Sequence, residues 1–194
     1  MGKSLSEMSL EELWELFPII LKKHNPIWKD WYLQEEKLLS AIIGNQYIER
    51  INYIGSTSVN GLLAKPTIDI LLEITEDCDL KFLVSMLGKN GYIMEKQSQK
   101  PAPHMMFMKG YNENGFAEKV FHIHVRYIGN WNELYFRDYL QLHKDVAKEY
   151  GNLKMSLIDK YKHNRDGYTE AKTEFVNKYT EIAKTEFKNK YNPS

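Results

Sequence analysis

Residues 54–73 read Ile-Gly-Ser-Thr-Ser-Val-Asn-Gly-Leu-Leu-Ala-Lys-Pro-Thr-Ile-Asp-Ile-Leu-Leu-Glu. This stretch begins with the apolar residue Ile54, continues through a turn of small residues and a Lys-Pro pair, and ends in an apolar strand that carries the acid Asp69. Small residues in a turn let backbone N–H groups approach a phosphate group. An acidic side chain on a mostly apolar strand is costly to bury unless it binds something. The stretch therefore predicts a site for a phosphorylated ligand with a metal ion beside it.

The composition of the chain predicts one domain over residues 1–194, with 43% hydrophobic and 27% charged residues. The formal net charge is zero, so no global field attracts nucleic acid, and we expect no nucleic-acid partner. The single cysteine, Cys78, excludes an intrachain disulfide and fits a reducing compartment. No apolar run approaches about 20 residues, so we expect no membrane association and predict a cytoplasmic protein.

The pattern of elements predicts an α+β domain with a mixed sheet flanked by helices and a helical C-terminal segment. Strands are predicted at 47–54, 67–74, 92–95, 105–109 and 119–127, with residues 110–115 as the hairpin connection between the last two. Helices are predicted after the Ser9 capping box, at 28–44, from Asp77 to about 90, at 130–142, at 146–161 and from 166 to near the end.

The C-terminal segment contains an internal repeat. Residues 171–182 read Ala-Lys-Thr-Glu-Phe-Val-Asn-Lys-Tyr-Thr-Glu-Ile, and residues 183–191 read Ala-Lys-Thr-Glu-Phe-Lys-Asn-Lys-Tyr. Twelve residues are not a whole number of helical turns, so the second copy presents a rotated face. Val176 is replaced by Lys188 in the second copy, so we expect residues 183–194 to form a mostly solvated helical tail and not a functional array.

Four motifs in this chain resemble those of the GrpB family, also catalogued as UPF0157. The first is the stretch quoted above, although Tyr53 replaces the family's usual His and Asn60 its Pro. The others are listed here in order: Phe121-His122-Ile123-His124-Val125, then Phe136-Arg137-Asp138-Tyr139-Leu140 with His143, then Tyr168-Thr169-x-Ala171-Lys172-x-x-Phe175. The resemblance covers about residues 20–180 and implies a nucleotidyltransferase-like fold.

The resemblance also implies a role for the Gly55-Ser56 pair. In nucleotidyltransferases a Gly-Ser pair holds the triphosphate, and two acids at positions i and i+2 of a later strand hold Mg²⁺. Backbone donors and hydroxyls of Ser56, Thr57 and Ser58 suit an anion, and Lys65 adds a charge. The alternative is that the three hydroxyl residues only cap a short helix.

Asp69 is the candidate catalytic and metal-binding acid of the following strand. Leu71 stands where a standard nucleotidyltransferase has its second acid. Glu73 shares the face of Asp69, but four strand residues span about 13 Å, too far for both carboxylates to grip one ion. We therefore expect Glu73 to be the solvated end of a strand.

His122 and His124 stand two residues apart, so their rings share one face of a strand. If that strand lies beside the strand of Asp69, the three side chains form a candidate site for a divalent metal such as Mg²⁺, Mn²⁺ or Zn²⁺, and imidazoles favour the transition metals. The alternatives are rings that are hydrogen-bonded on a sheet surface, or rings that donate to a phosphate.

Arg137 and Lys172 are candidate substrate contacts through the motifs that resemble the family. A guanidinium can form a bidentate pair with a phosphate or carboxylate. The alternative for Arg137 is an ordinary ion pair with Asp138 on a helix surface, which contributes little to stability.

Two functions follow. The first is an enzyme that transfers a nucleotidyl or phosphoryl group with a divalent metal as cofactor. The second is a non-catalytic module that binds a nucleotide or another anion on the same fold. Leu71 separates them, because the enzyme hypothesis needs an acid from the 105–109 or 119–127 strand to replace the missing one.

Overall fold

The computed structural model describes residues 3–95, 100, 103–188 and 190–193. A five-stranded mixed sheet lies between two sets of helices, which confirms the predicted α+β class. The strands are β1 (Ile48–Ile54), β2 (Ile68–Ile74), β3 (Ile93–Glu95), β4 (Met105–Asn112) and β5 (Gly115–Tyr127). The α-helices are α1 (Leu10–Leu16), α2 (Ile27–Ile43), α3 (Leu80–Lys89), α4 (Asn132–Leu142), α5 (Lys144–Ser156), α6 (Ile158–Tyr161), α7 (Arg165–Glu170) and α8 (Thr173–Glu186).

The helix ends follow their local sequence signals. The Ser9 hydroxyl accepts from the Glu12 backbone N–H at 3.2 Å and forms a capping box that begins α1. Gly44 ends α2 with a φ of 94°. The helix predicted from Asp77 begins instead at Leu80, because the Asp79 carboxylate accepts from the Lys81 N–H at 2.8 Å and caps it. Of the helices in the described ranges, none is long and apolar enough to span a membrane.

The sheet has the strand order β1-β2-β5-β4-β3. The pair β2 and β5 is parallel, and the other neighbouring pairs are antiparallel. The β4 and β5 strands run further toward their shared turn than predicted and leave Glu113 and Asn114 between them. The parallel register places Asp69 beside His122 and Leu71 beside His124. The sheet therefore brings the predicted acid and histidines together.

The two faces of the sheet differ in chemistry because side chains alternate along a strand. On one face, apolar residues of β2 and β5 pack against buried residues of α2 and α3, including Leu39 and Leu83. On the other face, Leu71 and Ile54 pack under α4, α5 and α8. That second face also carries Asp69 and the histidines of β5, so the candidate site lies on it.

Glu73 corrects one sequence expectation. Its side chain is fully buried and not solvated. Arg50 of β1 donates to it twice, at 2.5 and 2.7 Å, and the Gly129 N–H donates at 3.0 Å. Glu73 is therefore the centre of a buried ion pair that ties β1 to β2 and to the start of the segment before α4.

Across residues 183–194, which hold the second copy of the C-terminal repeat, most of the described residues are exposed, but a few anchor the segment to the domain. Ala183 and Tyr191 are buried, and Phe187 packs against the same cluster. The Tyr191 hydroxyl donates to Asp138 and accepts from Arg137 at 2.8 Å. The second copy therefore contacts the domain through Ala183 and Tyr191, and Tyr191 lies beyond the end of α8 at Glu186.

Candidate functional site

Gly55 lets the turn after β1 pass directly over the carboxylate of Asp69. Its φ is +71°, and a Cβ placed on it would lie 2.3 Å from Asp69 Oδ2. A larger residue would meet both a strained backbone conformation and a steric clash. The glycine of the Gly-Ser pair is therefore required by the acid that follows it, and the two elements form one site.

Asp69 faces both histidines of β5. Its Oδ1 lies 3.3 Å from His122 Nδ1 and 3.6 Å from His124 Nε2. The other ring nitrogen of His122, Nε2, lies 2.7 Å from the Tyr111 hydroxyl. Because a carboxylate only accepts hydrogen bonds, we assign the ring proton to Nδ1, and Nε2 then accepts from Tyr111. Sequence analysis had not identified Tyr111 as part of this chain of contacts.

The charge states of this chain of contacts follow from burial. Burial lowers the pKa of His122 to about 4, and the opposing effect of Asp69 does not restore it. For Asp69 burial would raise the pKa, but the two imidazoles outweigh it, so the pKa of the carboxyl lies well below its ordinary value. At neutral pH the site therefore holds an ionised carboxylate beside a neutral His122.

The three predicted hydroxyls have different roles. Thr57 donates to the Thr67 carbonyl at 2.9 Å, and Ser58 donates to the Gly55 carbonyl at 2.6 Å. Both therefore stabilise the turn. Residues 56–58 themselves form a short 3-10 helix, which no side chain of the described residues caps. Ser56 is left to face the cavity, together with Gly55.

Lys154 of α5 was missed by sequence analysis and completes the surroundings of Ser56. Its Nζ lies 3.0 Å from Ser56 Oγ, donates to the Leu63 carbonyl and stands 4.6 Å from the centre of the Tyr150 ring. The side chain is buried, and burial lowers its pKa to about 7, with the charge of Lys172 adding to the effect. The available signal was a lysine on the helix face that carries Ala147 and Tyr150.

Three more cations act on Asp69. Burial lowers the pKa of Lys65 and of Lys172 to about 8 in each case. The charge of Arg165 adds to both shifts, and Asp69 opposes both. Arg165 begins α7 and was not among the predicted site residues. Lys65 and Lys172, both predicted, are thus brought into one electrostatic cluster with Asp69.

A cavity of about 610 Å³ opens beside the site. Gly55, Ser56, Asp69 and His124 border it, and apolar and aromatic side chains of α4, α5 and α8 form much of its wall. Lys65 borders a separate cavity of about 350 Å³. A ligand in the larger cavity would therefore meet Ser56 and Asp69 directly and the cation cluster through its charge.

Arg137 lines the same cavity, but its donors are used within the protein. It donates to Asn52 at 3.2 Å, to the Tyr53 carbonyl at 3.0 Å and to Tyr191 and Asp138 at 2.8 Å each. Both members of the Arg137–Asp138 pair are largely buried, so the pair is not the surface contact of the alternative. In this arrangement Arg137 joins α4 to β1 and to the C-terminal repeat.

The described ranges contain no group of three His, Cys, Asp or Glu side chains arranged to hold a metal ion. Nor do the strands supply a second acid, since the β5 neighbours of Asp69 and Leu71 are His122 and His124, which pair in turn with Met108 and Met106 of β4. The folded arrangement thus lacks the paired acids of a standard two-metal site.

Comparison with known proteins shows the family of this chain. The family model described as "GrpB protein" matches residues 18–181. The chain belongs to the GrpB family. The His-x-His strand, the α4 motif and all but the last residue of the first copy of the C-terminal repeat lie within the matched residues, and the second copy lies beyond them.

Individual relatives support the same family. The chain is 36% identical over 163 residues to the glutamate-rich protein GrpB of Alkalihalophilus pseudofirmus, covering 82% of this chain and 92% of the relative. It is 31% identical to UPF0157 protein YqkA of Bacillus subtilis, where the match covers 82% of this chain and 46% of the relative. The crystal structure of conserved protein GrpB from Enterococcus faecalis superposes with a TM-score of 0.71 at 25% identity, covering 87% and 99% of the two chains.

For this GrpB-family chain, the site geometry defines what chemistry is at hand. It offers one ionised carboxylate, one serine hydroxyl whose proton is free to donate when Lys154 donates to its oxygen, and several lysines in low-dielectric surroundings. Buried cations that exceed the buried anions around them favour the binding of an anion. The neutral His122, with both nitrogens engaged, orients Asp69.

Proposed function

We propose that this GrpB-family protein binds a phosphorylated small molecule, such as a nucleotide, as a non-catalytic binding module. The observation that carries the proposal is the buried ammonium group of Lys154, which lies 3.0 Å from Ser56 Oγ at the edge of the cavity. Lys65 and Lys172 add positive charge within electrostatic reach of Asp69 and Arg165. Burial makes the charged form of each lysine costly, and an anionic ligand would relieve that cost. A phosphate group would lie beside Ser56, at the edge of the cavity where these charges act.

Binding is favoured over transfer by what lies next to Asp69. The second acid of a standard nucleotidyltransferase is replaced by Leu71, which is fully buried in an apolar cluster. At the positions of β5 that pair with Asp69 and Leu71, the side chains are histidines and not acids. Phosphoryl transfer depends on charge stabilisation at phosphorus, and a single carboxylate provides little means to position the metal ions that supply it.

Metal-dependent nucleotidyl or phosphoryl transfer is the second candidate. It is favoured by one observation, namely that Asp69 Oδ1 lies within 3.3 and 3.6 Å of the two imidazoles. Those three side chains are not arranged to hold an ion in the described structure, so they would have to shift to bind Mg²⁺, Mn²⁺ or Zn²⁺, which would neutralise charge on a phosphate. Binding through His122 Nδ1 would first require loss of the proton that it directs at Asp69, so metal binding would release a proton.

Calorimetric titration separates the two candidate functions. Pyrophosphate and ATP are each titrated into metal-stripped protein, and the titrations are repeated with Mg²⁺, Mn²⁺ or Zn²⁺ present. The deciding variant is Asp69→Asn. If the site binds anions without metal, removal of the carboxylate removes a repulsion, and the affinity rises. If a metal bridges protein and phosphate, the same change removes a ligand, and the affinity falls.

Lys172→Met tests the cation cluster in the same titration, with the exposed Lys37→Met as its matched control. We expect the first variant to weaken pyrophosphate binding by about tenfold or more, as loss of one charge-assisted contact does. The control should bind like the unmodified protein. Equal affinities for all three proteins, or no binding of either probe, would contradict the proposal.

A further inference from the structure

Arg126 is a buried cation whose hydrogen bonds are weak and incomplete. The residue is only 3% exposed and belongs to β5 on the same face as His122 and His124. Its Nη1 donates to the Val125 carbonyl at 3.4 Å and its Nη2 to Glu133 at 3.3 Å. Among the described residues its Nε has no hydrogen-bond partner. A buried guanidinium normally satisfies its donors, so this one has capacity for another acceptor.

The surroundings direct that capacity toward the cavity. Arg126 lines the 610 Å³ cavity that Ser56 and Asp69 also border. Its guanidinium carbon lies 5.3 Å from the centre of the Trp131 ring, which holds the planar group by one face and leaves its edge for hydrogen bonding. Glu133, its ion-pair partner, is 37% exposed, so solvent reaches the carboxylate of this pair while the guanidinium is buried.

Neighbouring acids do not satisfy Arg126. Glu73 is its register partner on β2, but the Glu73 carboxylate already accepts from Arg50 and from the Gly129 N–H. Burial lowers the pKa of Arg126, and the charges of Glu133 and Glu73 only partly oppose that shift. The acids around Arg126 therefore leave its positive charge only partly neutralised at hydrogen-bonding distance.

We propose that Arg126 is a binding subsite for a second anionic group of the ligand, a carboxylate. The inference rests on the proposed function, which places a phosphate of the same ligand beside Ser56. A carboxylate fits because two parallel N–H donors of a guanidinium match its two oxygens. Nε, which has no partner among the described residues, and Nη2, whose bond to Glu133 is long at 3.3 Å, supply such a pair when the ligand displaces Glu133.

The position of Arg126 along β5 sets the size of the ligand. Arg126 follows His122 by four residues, a distance of about 13 Å along a strand, and follows His124 by about 7 Å. The cavity that Ser56 and Arg126 both border also has the apolar side chains of Phe136 and Leu140 in its wall. The ligand class is therefore a phosphorylated carboxylic acid whose charged ends are separated by an apolar or aromatic spacer.

Matched synthetic probes test this assignment by calorimetry. Phosphonoalkanoic acids with spacers of four, six and eight carbons carry both groups, and the alkylphosphonic acids of equal length lack the carboxylate. We expect the carboxylate to improve affinity by about tenfold or more at the best-fitting length in the unmodified protein. In Arg126→Met this gain should disappear, while the affinity for the alkylphosphonic acids stays unchanged.

Glu133→Gln provides a variant at a partly exposed position, so it does not depend on tolerance of a core change. Because this change removes the carboxylate that competes for Arg126, the improvement in affinity that the probe's carboxylate provides should increase. The proposal is overturned if the gain is absent at every length, survives in Arg126→Met or fails to increase in Glu133→Gln. If even the alkylphosphonic acids and pyrophosphate do not bind, the proposed phosphate site fails instead, which distinguishes the two failures.

Discussion

At the scale of single residues, Gly55 couples the turn to the acid. Replacement by alanine would place a Cβ 2.3 Å from Asp69 Oδ2 at a φ of +71°. We expect Gly55→Ala to lower the free energy of unfolding by about 3 kcal/mol, through the left-handed backbone and the clash together. Urea denaturation measures the loss.

Gly61→Ala is the matched control for that prediction. Gly61 has a φ of +79°, but a Cβ there would meet nothing within 4 Å. Its loss should be about 1 kcal/mol, the backbone contribution alone. If the two variants lose the same stability, the contact between the turn and Asp69 is not what requires glycine at position 55.

Under the proposed function, Lys172 is a residue that serves binding and lowers the stability of the ligand-free protein. Its pKa falls from 10.5 to about 8 in the folded protein. Between those values the unfolded chain binds more protons than the folded one, so the stability of the protein rises with pH across this window. Below about pH 8 the folded state holds the lysine charged at the full free-energy cost.

Lys172→Met should therefore stabilise the ligand-free protein by about 1 to 2 kcal/mol at pH 7. The advantage should shrink as the pH is raised from 8 toward 10. Urea midpoints at pH 7, 8, 9 and 10 for both proteins check the trend. A variant that is less stable than the unmodified protein at pH 7 would show that Lys172 supports the fold and is not held in reserve for an anion.

At the scale of elements, the Arg50–Glu73 pair links β1 to β2. Glu73→Gln leaves Arg50 facing a neutral group in a buried position, and breaking such a pair costs about 3 kcal/mol. Chemical denaturation should show this loss. The exposed Glu49→Gln on the same strand pair is the control and should stay within about 0.5 kcal/mol of the unmodified protein. A similarly small loss in Glu73→Gln would contradict the buried pairing.

The second copy of the C-terminal repeat makes a comparable contribution through Tyr191. Its ring meets the Tyr135 ring edge-on at 5.2 Å, and its hydroxyl bonds Asp138 and Arg137. Tyr191→Ala should cost about 3 kcal/mol, typical of truncating a buried aromatic residue. Lys188→Ala in the same copy, an exposed position, should cost less than about 0.5 kcal/mol. Thermal unfolding of both variants makes the comparison. Equal melting temperatures would show that Tyr191 contributes no more to stability than an exposed residue of a solvated tail.

The elements themselves were largely predictable from the sequence. Alternation of apolar and polar residues fixed β5 and placed His122 and His124 on one face, and the capping residues fixed α1 and α2. The environment of Glu73 was not predictable from its own strand. Its partner Arg50 lies 23 positions earlier, and only the antiparallel register of β1 and β2 brings the two together.

At the scale of the whole molecule, the candidate site combines distant parts of the chain. The turn at Gly55 and the β2 acid were visible in one stretch of sequence, and the family motifs pointed to Lys172. Arg165 and Arg126 carry no local signature that separates them from surface cations, and Lys154 is marked only by its place on the helix face of Ala147 and Tyr150. Folding brings Lys154 of α5 to Ser56, Arg165 of α7 within electrostatic reach of Lys65 and Lys172, and Arg126 of β5 to the cavity that Asp69 also borders, which is why sequence analysis missed them.

The position at which this protein binds an anion can be measured directly by backbone amide NMR. Inorganic phosphate is titrated into ¹⁵N-labelled protein, and the shifts of the amide signals are mapped on the sheet. We predict saturable shifts at Gly55, Ser56 and the residues around Lys172, with none around Gly61 and Lys148 at the neighbouring cavity. Shifts confined to that neighbouring cavity, or no saturable shift at all, would contradict the anion site.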